Sequence, residues 1–595
     1  MNNPRIWNIR VGNRRLLTPL FGVFVLCVVL AAHSTWYSNH NELPPTSDVA
    51  MHNISTLGYY ELLRNPPPRF YEHFLMVDTF YPPVSHALSA VLGLLVGNGP
   101  RRAKLGVTLL FLPLFLFSVY GGARQFADER KALIATIFAG TSPGVFVSLH
   151  GYMLEMPVAA MVALSAYLFI KSKGLRSRRC ALLAGLACGF GALTKFVFPF
   201  FAAGLFLASL LKDWSAKSAQ RRLVLANGAL CILVAAAVAA PWYWPNRTPL
   251  IQELTGSGFL DTFQTNGIDV SAQAWLQTAT APKSYAIPIL NILNTAFNPL
   301  GAPLWLILFV VEALRDRSRR IKLVVWMCVP LILLALIPRK QAKEAVCFIP
   351  LIALIMAMGL AQLKTRLARY ASMGVVLFGS AIGLVDFAII PILAGPLPLS
   401  AAQQHASLNA GYYTRTINLE NVMAPVRWTL LSAAARNYYT RPGARDQFEA
   451  DRYFFIADGY GLAYWGPRFG LTSDPTRHLA ENRRALIIGV FAETPLRDRN
   501  FRIADFVADW STIRYWAALR RVPALVFQLS AEPGGCSWPV SVRPDFILTD
   551  TPIAPECKAA LFNDWRPVKI WTHTYQDQSQ LEMYQINNDV WTRED

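Results

Sequence analysis

The chain has 595 residues, 53% of them hydrophobic and only 16% charged, with a mean hydropathy of +0.31. A soluble globular chain is about a quarter charged, so water is not the only solvent this protein meets, and a purely soluble enzyme or binding module is excluded. The net charge of +19 is concentrated in short loops between apolar runs with no nucleic-acid-binding motif beside them, which points to a membrane surface and not to DNA or RNA.

Arg5, Arg10, Arg14 and Arg15 precede an apolar run from Leu16 to Ala32. With many spans following, this reads as an uncleaved first helix whose N-terminus is cytoplasmic. The loop 33–84 comes next, with Asp48 near the end of that span and so close to the membrane surface. It is too long and too rich in aromatics and prolines for a tether, and short interfacial helices are expected there. Asp78 reads as a helix N-cap, and His73 and His86 flank the Tyr81-Pro82-Pro83 segment. Asn53 and Asn246 match the glycosylation tripeptide, which is frequent by chance.

Further apolar segments lie at 85–98, 103–121, 132–149, 154–171, 181–195, 197–211, 223–241, 286–312, 322–338, 344–363 and 370–393, each expected to be helical because lipid satisfies no backbone group. The basic connectors 171–179, 212–222, 314–322 and 364–370 are mutually consistent as cytoplasmic loops. They place 149–153, 242–285, 339–343 and everything after about residue 396 on the exported side, and Glu155 with them. Twelve crossings would leave both termini on one side. Either 85–121 crosses once in net terms or 286–312 is two short helices, which gives about 11–13 transmembrane helices. Arg339, Lys340 and Lys343 then form a basic cluster where the positive-inside rule disfavours one, an exception that suggests a bound anion. Lys195 ends the span 181–195, as a structural pair or as part of a site.

Beyond residue 396 strand-like runs at 485–491, 524–530, 545–550 and 568–575 alternate with polar turns and an expected helix at 502–521. The domains are read as 1–395, transmembrane, and 396–595, an exported soluble α/β domain. Of the eight cysteines, six, from Cys27 to Cys347, lie in or beside apolar segments as packing residues. The two that remain, Cys536 and Cys557, fall in the exported part, where an oxidising compartment allows a disulfide between them. No metal-ligand spacing is present.

The order of basic N-terminus, first span, loop with an early Asp, and Tyr-Pro-Pro before the next apolar run resembles the C-type glycosyltransferases, related to protein O-mannosyltransferases and the lipid-A aminoarabinose transferase. SPGVFVSLHGYMLEMPVAA (142–160), GLACGFGALTK (185–195) and KEAVCFIP (343–350) are similar to later segments of that family, so the resemblance covers roughly residues 10–395. It implies that Asp48 and Glu155 are the acidic groups of the reaction centre. Tyr81 stands where the aminoarabinose enzymes carry a phosphate-binding Lys, Val49 where the family has a second acidic residue, and Val346 and Cys347 where it has Arg and Tyr. Phosphate recognition is therefore expected from other cations, with Tyr81, His86, Lys195, Arg339, Lys340 and Lys343 as candidate substrate-binding residues.

The implied function is transfer of a monosaccharide from a polyprenyl-phosphate donor to a lipid, glycan or protein acceptor at a multi-pass cell membrane, of the bacterial inner-membrane kind. Such transfer needs a carboxylate for the incoming nucleophile and cations for the leaving phosphate. Sequence leaves the cofactor unknown and a divalent metal open. The alternatives are a polytopic transporter or flippase, which would show internal repeats and more ionisable residues within spans, and a non-catalytic envelope assembly subunit.

Overall fold

The computed structural model describes residues 14–40, 47–97, 100–211, 218–248, a few between 289 and 297, 301–336 apart from 316, 342–389, and six strands between 486 and 586. The first helix, α1 (Arg14–His40), is 27 residues long, enough to cross a hydrocarbon core of about 30 Å at about 1.5 Å per residue. Val23, Cys27, Leu30, Ser34 and Tyr37 recur at helical spacing and are buried, whereas Phe21, Phe24, Val25, Val28 and Val29 face outward. One stripe packs on protein and the other is the face a lipid phase would cover.

Three helices follow in the stretch expected to hold interfacial ones: α2 (Ser47–Arg64), α3 (Phe70–Met76) and α4 (Val84–Val96). The pair α2 and α4 pack together. At 13 residues, α4 spans only about 20 Å and cannot cross alone. A turn, α5 (Pro100–Ala103), and a π-helical stretch Val107–Phe111 lead into α6 (Leu112–Ala123). These lengths are compatible with single net passage of 85–121, while most of 286–300, on which the other reading of the parity rests, lies outside the described residues.

The apolar run 132–149 is also interrupted. It divides into α7 (Glu129–Gly140) and α8 (Pro143–His150), bent by 56°. At the break Thr141 and Ser142 turn their hydroxyls back on the carbonyls of Ile137 and Phe138, and Pro143 removes a donor, so the α7 ladder ends there.

The remaining helices are α9 (Glu155–Lys171), α10 (Arg178–Ala192), α11 (Phe198–Leu211), α12 (Ser218–Tyr243), α13 (Gly301–Arg315), α14 (Arg317–Leu336), α15 (Ile349–Gln362) and α16 (Arg366–Leu384). A 3-10 segment, Ala342–Phe348, precedes α15. Among the described residues four stretches are long and apolar enough to cross a membrane unaided: Pro19–Ser38, Gln220–Tyr243, Lys343–Gln362 and Arg366–Leu384. The bent α7–α8 pair makes a fifth if counted as one span.

Two helices sit at the centre. In α15 every side chain from Ile349 to Leu360 is buried, and α9 is buried nearly all round. They contact each other, and α15 also packs on α6, α7 and α13. Residues 486–586 form a separate six-stranded sheet, β1 (Leu486–Phe491), β2 (Ala524–Glu532), β3 (Gly535–Ser537), β4 (Phe546–Thr549), β5 (Pro567–Thr574) and β6 (Gln580–Ile586), in the order β3-β2-β1-β4-β6-β5. Strand β1 pairs in parallel with β2 and β4, whereas the β2–β3, β4–β6 and β6–β5 pairs are antiparallel. The expected helix at 502–521 lies outside the described residues.

Candidate functional site

Glu155 is the first residue of α9, where the positive end of the helix dipole favours a carboxylate. Lys195 follows the end of α10, in a turn so close that a Cβ on Gly191 would fall 2.4 Å from the Phe198 ring. Lys195 Nζ meets Glu155 Oε1 at 2.6 Å, with side-chain exposures of 6% and 1%. Among the described residues the other oxygen, Oε2, is buried and accepts no hydrogen bond. A buried carboxylate held on one side and left unpaired on the other is costly, and it makes Oε2 a ready acceptor for a further donor. Glu344 and Cys347 act electrostatically on Lys195, and the Cys347 thiol points at the Glu155 backbone carbonyl from 3.9 Å.

A second group of side chains stands beside this pair. His52 on α2 faces His86 on α4, Nδ1 to Nε2, at 3.3 Å. The Tyr81 ring meets His52 edge-on at 4.6 Å between centroids. Tyr152, from the turn between α8 and α9, shares a 2.7 Å hydrogen bond with Thr56 of α2 and donates at 3.3 Å to the Ser85 carbonyl of α4. Burial, then the charges of His86 and Lys195, hold the His52 imidazole well below its ordinary range, so it is neutral near pH 7. The influence of Lys195 on His52 places the two groups in one neighbourhood. They are brought together where the start of α4 docks on the end of α10: Val84 N–H donates to the Leu193 carbonyl at 3.0 Å, and the rings of Phe80 and Phe196 lie 5.6 Å apart.

Asp78 is not a helix cap. Its Oδ1 accepts from the backbone N–H groups of Phe80 and Tyr81 at 2.9 and 2.7 Å, and Ser55 donates to Oδ2, while α4 begins later, after Pro83. The carboxylate instead folds the turn that presents Tyr81. His73 is exposed on α3, away from any such role. Asn53 and Asn246 are buried and donate to the carbonyls of Val49 and Leu75, which makes both internal brackets.

Glu155, Lys195, Tyr81 and His86 thus come together. Asp48 is the second residue of α2, four positions before His52, with its side chain outside the described part. Lys343 is the second residue of the segment Ala342–Phe348 that carries Glu344 and Cys347, while Arg339 and Lys340 lie outside the described residues. The backbone of Cys536 belongs to β3, but its side chain and Cys557 are outside them as well. Among the described residues no three His, Cys, Asp or Glu side chains converge as metal ligands would.

Residues 81–244 match the family model described as dolichyl-phosphate-mannose-protein mannosyltransferase. No curated protein sequence matches the chain. Among solved structures, ArnT from Cupriavidus metallidurans bound to undecaprenyl phosphate is similar, at 16% identity over 96% of this chain and 98% of that chain, with a TM-score of 0.51. Its apo state matches with the same identity and TM-score over 95% and 98%. At that identity the likeness gives the chain the fold of those structures, the C-type glycosyltransferase architecture, and the family match covers residues 81–244 of it.

Proposed function

We propose that this chain, with its C-type glycosyltransferase fold, moves a monosaccharide from a polyprenyl-phosphate donor to a lipid, glycan or protein acceptor on the exported face of the membrane. The observation that carries the reading is the Glu155 carboxylate, buried, locked to Lys195 through Oε1 and unpaired at Oε2. In the step, the acceptor's nucleophilic atom forms a bond to the anomeric carbon, the carbon–oxygen bond to phosphate breaks, and the phosphate leaves with the electron pair. The acceptor proton passes to a carboxylate, for which Asp48 at the start of α2 is the candidate. Glu155 orients the acceptor or the sugar hydroxyls through Oε2. The ring edges of Tyr81, His52 and Tyr152 suit the apolar face of a sugar. The leaving phosphate is assigned to Arg339, Lys340 and Lys343, the cations of the segment that leads into α15.

Purified protein in liposomes, supplied with a lipid extract of its expression host, tests this by mass spectrometry of both released polyprenyl phosphate and glycosylated product. Asp48→Asn and Glu155→Gln are expected to lower release at least about 100-fold, the scale of general acid–base and positioning effects, with both variants folded. Transfer at the wild-type rate by a folded Asp48→Asn protein removes that residue from the chemistry. Movement of the lipid across the bilayer with no bond broken points instead to a flippase.

A further inference from the structure

Lys104, between α5 and the π-helical start of α6, is 4% exposed, and nothing in the transfer chemistry uses it. Its Nζ donates to the backbone carbonyls of Leu149 at 2.9 Å and His150 at 3.2 Å, the last two residues of α8. Ser34 of α1 donates to the same Leu149 carbonyl at 2.8 Å. The ammonium also lies 5.9 Å from the centre of the Tyr37 ring. That ring is stacked on His150, 3.8 Å between centroids and 3° from parallel, and His150 Nε2 is 2.9 Å from His33 Nε2. Among the described residues the partners of this buried cation are carbonyls and a ring, with no carboxylate in its ion pairs. The carbonyls at a helix C-terminus lack intrahelical donors and carry the negative end of the dipole, so a cation set there satisfies them and fixes where the helix stops.

We infer that Lys104 is a positioning residue, which anchors the turn from α8 to α9 and through it holds Glu155 in register with Lys195. That turn is tied at three points: at Leu149 and His150 by Lys104, at Tyr152 by Thr56 and Ser85, and at Glu155 by Lys195. Removal of the first tie frees the end of α8, and displacement of a reacting group by about 1 Å is enough to cost about 100-fold in rate. The part of the inference that concerns rate rests on the function proposed above; the part that concerns the turn does not.

The test uses full-length protein with Lys104→Met, Lys104→Gln and Lys104→Arg. Amide hydrogen exchange is followed in peptides covering 149–156 and in α9 to α11, together with kcat and KM for release of polyprenyl phosphate from the host lipid extract. Met and Gln are expected to speed exchange across 149–156 by about tenfold and to lower kcat by about 10- to 100-fold with KM nearly unchanged. Arg, which keeps the charge and the donors, restores both. A folded Met variant with wild-type exchange and kcat overturns the inference. If the Met variant does not fold, a Gln variant indistinguishable from Arg overturns it equally, and a Gln defect that Arg lacks supports it. If the wild-type protein releases no polyprenyl phosphate at all, the proposed function fails and exchange at 149–156 alone decides the role of Lys104.

Discussion

His52 shows how one buried side chain writes itself into the behaviour of the protein with pH. Enclosed by His86, Tyr81 and Tyr152 and within the field of Lys195, it stays neutral in the folded state where an unfolded imidazole would take a proton below about pH 6.5. The unfolded chain then binds more protons than the native one. Stability from this residue is complete above about pH 6.5 and falls on acidification by up to about 1.4 kcal/mol per pH unit. Thermal unfolding between about pH 5 and 7.5 should show that loss, and His52→Gln should reduce its slope by one proton; an unchanged slope would show that other groups carry it. Sequence pointed to Glu155 and Lys195 separately, because an ionisable group inside an apolar run needs a reason to be there. Their pairing was not legible, since nothing local links an acid at one helix start with a base at another helix end. His52 and Tyr152 stayed silent for the same reason: they gain meaning only where α2, α4 and the α8–α9 turn meet. Asp78 was misread because its fold-back onto Phe80 and Tyr81 looks, in sequence, like the cap of the next helix.

Among elements, α10 carries the most specific packing. A Cβ on Gly185 would fall 2.7 Å from the Cys231 carbonyl of α12, and one on Gly189 would fall 2.6 Å from Val238 Cβ. Glycines one helical turn apart let the two backbones approach as small-residue pairs do in membranes. The Gly-rich stretch, read in sequence as a family signature, is thus first a contact surface, and it sets where α10 ends and Lys195 begins. Gly189→Val should destabilise the protein by about 1–3 kcal/mol or more through overpacking, and transfer should fall with it. The control is Gly374→Ala in α16, where a Cβ meets nothing within 4 Å; it should be neutral or stabilising by up to about 1 kcal/mol. Equal melting temperatures for the two variants would contradict the close crossing. Helix positions were legible because an apolar run of sufficient length has few other forms. The break at Thr141–Ser142 was written in Gly140-Thr141-Ser142-Pro143-Gly144, turn-forming residues that the apolar run 132–149 was read across. Strands β1, β2, β4 and β5 stand where alternation with turns placed them, whereas β6, with polar residues on both faces, gave no comparable signal.

At the scale of the molecule, α4, at 13 residues too short to cross alone, bears on how the first part of the chain passes the membrane. Single-cysteine reporters at Asn65, after α2, and at Arg102, after α4, in a background without the native cysteines, should react with a membrane-impermeant thiol reagent from the same face. Labelling from opposite faces would mean that α4 crosses. The enclosure of α15 bears on the order in which the protein is made. This helix is apolar enough to enter a bilayer on its own, yet it finishes with no side open to lipid along Ile349–Leu360. Four of the helices packed on it, α6, α7, α9 and α13, are synthesised earlier, and α16 follows. Until the ribosome has passed the middle of the chain, those helices have no central partner, and the nascent bundle lacks the helix that later fills its centre. Among the described helices of the bundle, the centre is therefore filled by one of the last to emerge.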